Sequence, residues 1–226
     1  MSGAVRGVDV SSWQHPGQAE INWHEVVDAG YSFAMVKATQ GTGYVNNWLS
    51  RDLDDARAAG LLVGAYHYLE VNVPPQDQAG HFIGSLIGQV LEMGVWLDFE
   101  PGAVQAGTAQ MALTGFLTEV DKTRPGCGLY CDLSWLETLK AAYISIPRLW
   151  LADWTPAEPH HGQLLWQEGP SEVKGIVGPV DVDVCDNVRA LNIPTAPKPK
   201  PTAATTLTAR PKLDEELPLE PAPTEP

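Results

Sequence analysis

Residues 95–102 read VWLDFEPG. Val95, Trp96, Leu97 and Phe99 have the character of a buried strand, yet Asp98 and Glu100 sit among them. Side chains on a strand alternate between its two faces, so Trp96, Asp98 and Glu100 share one face and Leu97 and Phe99 the other. In a parallel barrel the outward face packs on helices and must be apolar, which suits Leu97 and Phe99. Asp98 and Glu100 then point into the barrel mouth at the C-terminal end of the strand, where such barrels build their active sites.

The surrounding chain has the rhythm of an α/β protein. Apolar β-type runs occur at RGVDVS, SFAMVKAT, LLVGAYHYL, VWLDFE, GCGLYCD, RLWLADW, LLWQE and PVDVDVC. Between the early ones lie amphipathic stretches: INWHEVVDAG, WLSRDLDDARAAG, QDQAGHFIGSLIGQVLEMG and AQMALTGFLTEVDKT. Three of these end in a glycine (Gly30, Gly60, Gly94), which suits a left-handed helix cap. Strand and helix in alternation predict a parallel sheet, and this many strands predict a barrel. The last strands have too little sequence between them for full helices, so loops should connect the final third. No GxGxxG or GxxxxGK[ST] phosphate fingerprint is present. Composition changes near Ile193: residues 1–192 should form the folded unit, and 193–226, rich in Pro, Thr and Ala, a disordered tail or linker.

Two other strands repeat the opening pattern. In RGVDVSSWQ, Val8 and Val10 form a packing pair with Asp9 opposite; in PVDVDVC, Val182 and Val184 form the pair with Asp181 and Asp183 opposite. Three strands thus deliver carboxylates to one rim. Converging acids repel each other and persist where they bind metal or do acid–base chemistry. Clustered Asp and Glu suit Mg²⁺ or Ca²⁺, and His67 could join a transition-metal set, although a lone strand histidine also serves as a packing and hydrogen-bonding residue. The rival is glycoside hydrolysis, which needs one protonated and one ionised carboxyl group. Trp13, Tyr66, Tyr68, Tyr130, Trp154 and Trp166, near strand ends, would furnish a carbohydrate groove.

Bulk properties narrow the partners. The 226 residues carry a formal charge of −14, which disfavours nucleic acid and anionic membrane. Cys127, Cys131 and Cys185 are too few for a disulfide framework and lack zinc spacing, so they read as core thiols. No run approaches the ~20 apolar residues of a membrane span. The N-terminal MSGAVRGVDV lacks the apolar core of a signal peptide, so action in the cytoplasm or release by another route is expected.

In order and spacing, GVDVSSWQ, INWHEVVDAGYSFAMVKATQGTGYVN, AAGLLVGAYHYL, WLDFE, GLYCD, LWLADW, LLWQ and GPVDVDV resemble the glycoside hydrolase family 25 lysozymes, the Chalaropsis-type N-acetylmuramidases, over roughly residues 5 to 188. The resemblance implies a modified TIM-like barrel of five β/α units followed by three further strands. It implies hydrolysis of the β-1,4 bond between N-acetylmuramic acid and N-acetylglucosamine in peptidoglycan, with no metal or cofactor. Glu100 falls on the proton donor, Asp98 on its partner, and Asp9 and Asp181 on the flanking acids. Tyr66, Tyr130, Trp154 and Gln167 are the expected sugar contacts. Phage lysins of this kind commonly lack a signal peptide, so an endolysin, expected as a monomer, is the implied biology; the tail suggests a link to a wall-binding module absent from this chain. Two departures stand out: Gln40 replaces the acid of the family's K-A-T-E-G, and Asp183 stands where many relatives carry Asn, adding an acid to the rim. A catalytically silent peptidoglycan-binding module and a metal-dependent amidase or deacetylase remain the alternatives.

Overall fold

Alternation along each strand builds the architecture. The computed structural model describes residues 4–186 except 147 and 156. These lie in a unit clustered over Met1–Thr195; the expected tail at 193–226 lies outside the described residues. The strands are β1 (Val5–Val10), β2 (Tyr31–Gln40), β3 (Tyr44–Val45), β4 (Leu62–Tyr68), β5 (Gly94–Asp98), β6 (Gly128–Asp132), β7 (Leu149–Ala152), β8 (Leu165–Glu172) and β9 (Pro179–Cys185). Eight of them close a barrel in the order β1-β9-β8-β7-β6-β5-β4-β2, sealed by β1 pairing β2; β3 is a short strand folded back on the end of β2. Neighbours are parallel from β1 through β2, β4, β5, β6 and β7 to β8, and β9 runs antiparallel to both β8 and β1.

Helices α1 (Trp23–Asp28), α2 (Leu49–Ala59), α3 (Pro75–Ser85), α4 (Ala106–Asp121) and α5 (Leu133–Ala141) follow β1, the β2–β3 hairpin, β4, β5 and β6. That makes five β/α units, after which loops join β7, β8 and β9: a modified TIM-like α/β barrel. The sequence pattern did not reveal α5. It starts at Asp132, whose side chain accepts a 2.7 Å hydrogen bond from the Trp135 backbone N–H, and only Leu136 and Leu139 bury from its nine residues, too few for a clear period. Helix α3 ends at Ser85, well before Gly94; Gly94 has positive φ but opens β5 and caps no helix.

Two apolar layers follow from the alternation. Outside the sheet, Val8, Val36, Val63, Leu97, Phe99 and Leu151 pack with Val26, Leu53, Phe82, Phe116 and Leu139 from the helices. Truncating a side chain such as Leu97 there costs roughly 2–5 kcal/mol. Inside, Phe33, Met35, Tyr66, Trp96, Tyr130, Trp150, Leu165 and Cys185 fill the barrel. The large rings fit because Gly7 and Gly128 leave room: a Cβ at either would lie within 2.2 Å of Phe33 or Trp96. Val182 joins the outer layer, but the expected pairing with Val184 fails: Val184 is half-buried, and Val180 takes its place. Among the described residues no helix is long and apolar enough to cross a membrane.

Candidate active site at the barrel mouth

The mouth is floored by aromatic rings. Trp150 meets Tyr130, Tyr66 and Trp96 edge-on at centroid distances of 4.9, 5.9 and 5.9 Å. Above them the strand ends present their acids. Asp98 closes β5 between Tyr68 of β4 and Tyr130 of β6 in register. Asp9 on β1 lies opposite Asp181 on β9. Glu100 stands just beyond β5, exposed at the lip, while Asp98 is buried and its Oδ1 has no hydrogen-bond partner. The structure thus brings Glu100, Asp98, Asp9 and Asp181 together.

Asp183 differs from its expected place. Because β9 is antiparallel, its first residues lie at the mouth and later ones descend, so Asp183 pairs with Gly7, one layer below Asp9. It is fully buried, not at the rim, and accepts a 2.8 Å hydrogen bond from Trp150 Nε1. Among the described residues its Oδ2 has no hydrogen-bond partner. Burial, then the neighbouring Asp9, pushes Asp183 well above the usual carboxylate range.

The remaining acids move the same way. Burial and the Asp181 charge push Asp9 up to about 7, against the hydrogen bond from Gln167. Asp98 is driven well up by burial and by Glu100, with Lys37 opposing. Glu100 is raised by desolvation against the wall of the mouth, with the nearby Tyr130 hydroxyl and the charge of Lys37 opposing, and Asp181 is raised by burial. Carboxyl groups so placed are shifted toward their protonated forms, the direction general acid catalysis needs of one of them.

Gln167 is the hub of this rim. Its Oε1 accepts from Trp154 Nε1 and Tyr130 OH, each at 3.1 Å, and its Nε2 donates to Asp9 Oδ2 at 3.0 Å. An indole N–H can only donate, so the amide orientation is fixed and Asp9 receives the N–H. Trp154 is 64% exposed and lies over Gly169, where a Cβ would come within 3.1 Å of the ring. It is a flat, pinned apolar platform. Tyr66 and Tyr130 are nearly buried and show only their edges, and Gln167 is buried with its amide engaged. Trp13 is exposed, but Trp166 is buried on the face of β8 opposite Gln167, with Nε1 bonded to the Asp153 carbonyl at 2.7 Å.

His67 also faces away from the mouth. It stacks on Phe116 of α4 at 4.8 Å, outside the sheet. Gln78 Oε1 already accepts from the Glu70 backbone N–H, so His67 Nε2 donates to it at 3.1 Å, and His67 Nδ1 accepts from Thr39 Oγ1 at 2.7 Å. Burial pulls its pKa down to about 4, consistent with a neutral ring. Among the described residues no group of three or more His, Cys, Asp or Glu side chains is arranged to hold a metal ion.

Sequence reasoning missed Lys37. It follows Phe33 and Met35 on the inner face of β2, and a cation continuing an inward apolar alternation was a readable signal. Its Nζ lies 4.7 Å above the Tyr68 ring and 2.8 Å from Gln40 Oε1.

Known proteins resemble this chain along most of its described length. The model of Glycosyl hydrolases family 25 matches residues 8–170. Lysozyme M1 of Streptomyces globisporus is 29% identical over 200 residues, covering 81% of this chain and 67% of that protein. The uncharacterized protein YegX of Escherichia coli K12 is 30% identical over 191 residues, 80% of this chain and 69% of that protein. The crystal structure of a bacterial lysozyme from Streptomyces coelicolor superposes with a TM-score of 0.70 at 26% identity, covering 83% of this chain and 95% of that one. The acid-lined mouth thus sits in a barrel whose sequence and fold agree, and the chain belongs to glycosyl hydrolases family 25.

Proposed function

We propose that the chain is a lysozyme that cleaves the β-1,4 bond between N-acetylmuramic acid and N-acetylglucosamine in peptidoglycan, with Glu100 as proton donor. The observation that carries this reading is the Asp98–Glu100 pair at the end of β5, where burial raises both acids. Glu100, at the open lip, protonates the leaving glycosidic oxygen. Asp98, deeper in the mouth, stabilises the positive charge that develops on the sugar, directly or through the substrate's acetamido group. Asp9 and Asp181 orient and tune the pair. Trp154 supplies the stacking platform, with Tyr66 and Tyr130 edges and the little surface of Gln167 beneath the sugar. A phage endolysin acting as a monomer, its tail a link to a wall-binding module, fits this chemistry.

The test is digestion of purified peptidoglycan by the wild type and by Glu100→Gln, followed by borohydride reduction and mass spectrometry. The expected result is reduced muramic acid at the new ends with the wild type, and a rate lower by about 10²–10⁴-fold with the variant. Reduced glucosamine at those ends would assign a different bond. Cut peptide or amide bonds and loss of activity in chelator would support a metal-dependent amidase; sedimentation with the wall without cutting would support a binding module.

A further inference from the structure

The acid pair poses a problem of proton placement. Glu100 must carry the proton and Asp98 must be ionised, yet Asp98 is the more deeply buried of the two. Burial alone would leave the proton on Asp98, the wrong carboxyl. Something has to favour the ionised form there.

The inner face of β2 supplies the counterweight. Lys37 is half-buried, and its charge acts on Asp98 first, then on Glu100 and Glu70. Among the described residues it makes no ion pair. Its Nζ donates to Gln40 Oε1 at 2.8 Å, and Gln40 Nε2 donates onward to Glu70 Oε1 at 3.2 Å. The amide is therefore polarised between a cation and an anion, with its orientation fixed by both. A carboxylate at position 40 would pair with Lys37 directly and stand against Glu70. In this chain the anion lies one hydrogen bond further out.

The seat of that anion is built. The Glu70 backbone is clamped by Gln78, which accepts from its N–H at 2.9 Å and donates to its carbonyl at 2.8 Å. Its carboxylate packs on Gly41, where φ is +52° and a Cβ would lie 2.4 Å from Oε2. The other groups around the ammonium are aromatic. Tyr68 lies beneath it and bonds the Glu100 carbonyl at 3.3 Å; Tyr44, 5.8 Å away, shares a 2.9 Å hydrogen bond with Ser12 Oγ. His67, on the far face of β4, is neutral. Asp9 bears on Asp98, and Asp132 and Asp181 on Glu100.

We infer that Lys37 is a positioning residue of the reaction: its charge pulls Asp98 toward the ionised form more strongly than it pulls Glu100, and the neutral Gln40 tether to Glu70 sets how much of that charge reaches the pair. This deepens the lysozyme reading and rests on it.

The test is the pH profile of kcat/KM on purified peptidoglycan. Lys37→Met should move both limbs to higher pH by about one unit or more, the scale of losing a nearby opposite charge, and lower kcat far more than it raises KM; Lys37→Arg should restore most of the profile. The two tether variants should move the limbs in opposite directions. Gln40→Glu adds an anion that takes up the lysine charge, so the limbs shift alkaline. Glu70→Gln removes an anion, so they shift acid. A residue that only holds the loop would give no such opposition, so profiles superimposable on wild type, or shifts of the same sign, overturn the inference. The tether variants decide the matter even if Lys37→Met does not fold. A wild type that releases no muramic acid ends brings down the lysozyme reading and this inference together; an active wild type with unmoved tether profiles sinks this inference alone.

Discussion

Two buried acids in this molecule have opposite surroundings. Asp52 on α2 is buried outside the barrel, and it has a base for company: its Oδ2 lies 2.9 Å from His15 Nε2. The other ring nitrogen of His15 lies 2.8 Å from the Ala19 carbonyl, and the ring stacks flat on Trp48 at 3.9 Å. Asp98 in the mouth is also buried, but it faces Glu100 and Asp9 as well as Lys37, and among the described residues its Oδ1 has no hydrogen-bond partner. Burial raises both, Asp52 to about 6 with His15 opposing. The difference lies in compensation. Around Asp52 the polar contacts, with His15 and Trp23, tie α2 to the loop after β1 and to α1. Around Asp98 the fold gathers several acids against a single lysine, and such sites persist where the chemistry needs them.

The contrast predicts a double dissociation, the largest effect expected. Asp52→Ala leaves the His15 ring buried without its partner and should lower unfolding free energy by roughly 3–5 kcal/mol, while the folded fraction keeps wild-type specific activity. Glu100→Gln should do the reverse: activity collapses and thermal stability holds or rises slightly, since an acid leaves a crowded cluster. Urea titration and peptidoglycan release, run on both variants, check this. An Asp52→Ala protein that is folded yet inactive would erase the distinction.

A smaller effect separates the regions by pH. An acid whose folded pKa is raised binds more protons folded than unfolded, so stability falls as pH rises from the unfolded value to the folded one. For Asp52 that window closes near 6; for Asp9 it runs to about 7. His67, pulled down to about 4, works in the opposite sense between 4 and 6.5. Above pH 6.5 the mouth acids therefore dominate. The melting temperature should fall between pH 6.5 and 7.5, and Asp9→Asn should flatten that slope while Asp52→Asn leaves it. Equal slopes in all three proteins would mean that the mouth carries no such strain.

Most of the barrel was legible because alternation is a local signal. Leu97 against Asp98, and Val8 against Asp9, each sort their faces without knowledge of a neighbour. The features that escaped depend on partners far along the chain. The depth of Asp183 follows from β9 running antiparallel, a direction that PVDVDVC does not encode. Gln167 read as a sugar contact because its three partners, Trp154, Tyr130 and Asp9, come from other segments. Helix α5 escaped for a local reason: its cap, Asp132, is also the last residue of a strand.

The smallest predicted effect concerns that misplaced acid. Asp183 accepts from Trp150 through Oδ1, a bond the carbonyl of an asparagine can also make. Asp183→Asn should therefore keep activity near wild type and change the melting temperature least at low pH, toward which the raised acid favours its neutral form. As pH rises the wild type must either keep a buried proton or bury a charge, whereas the amide does neither, so the variant should gain on the wild type toward pH 9. A variant that loses activity at every pH would show that the Asp183 proton is itself part of the catalytic arrangement, and the line between supporting and reacting acids would then run one layer deeper into the barrel.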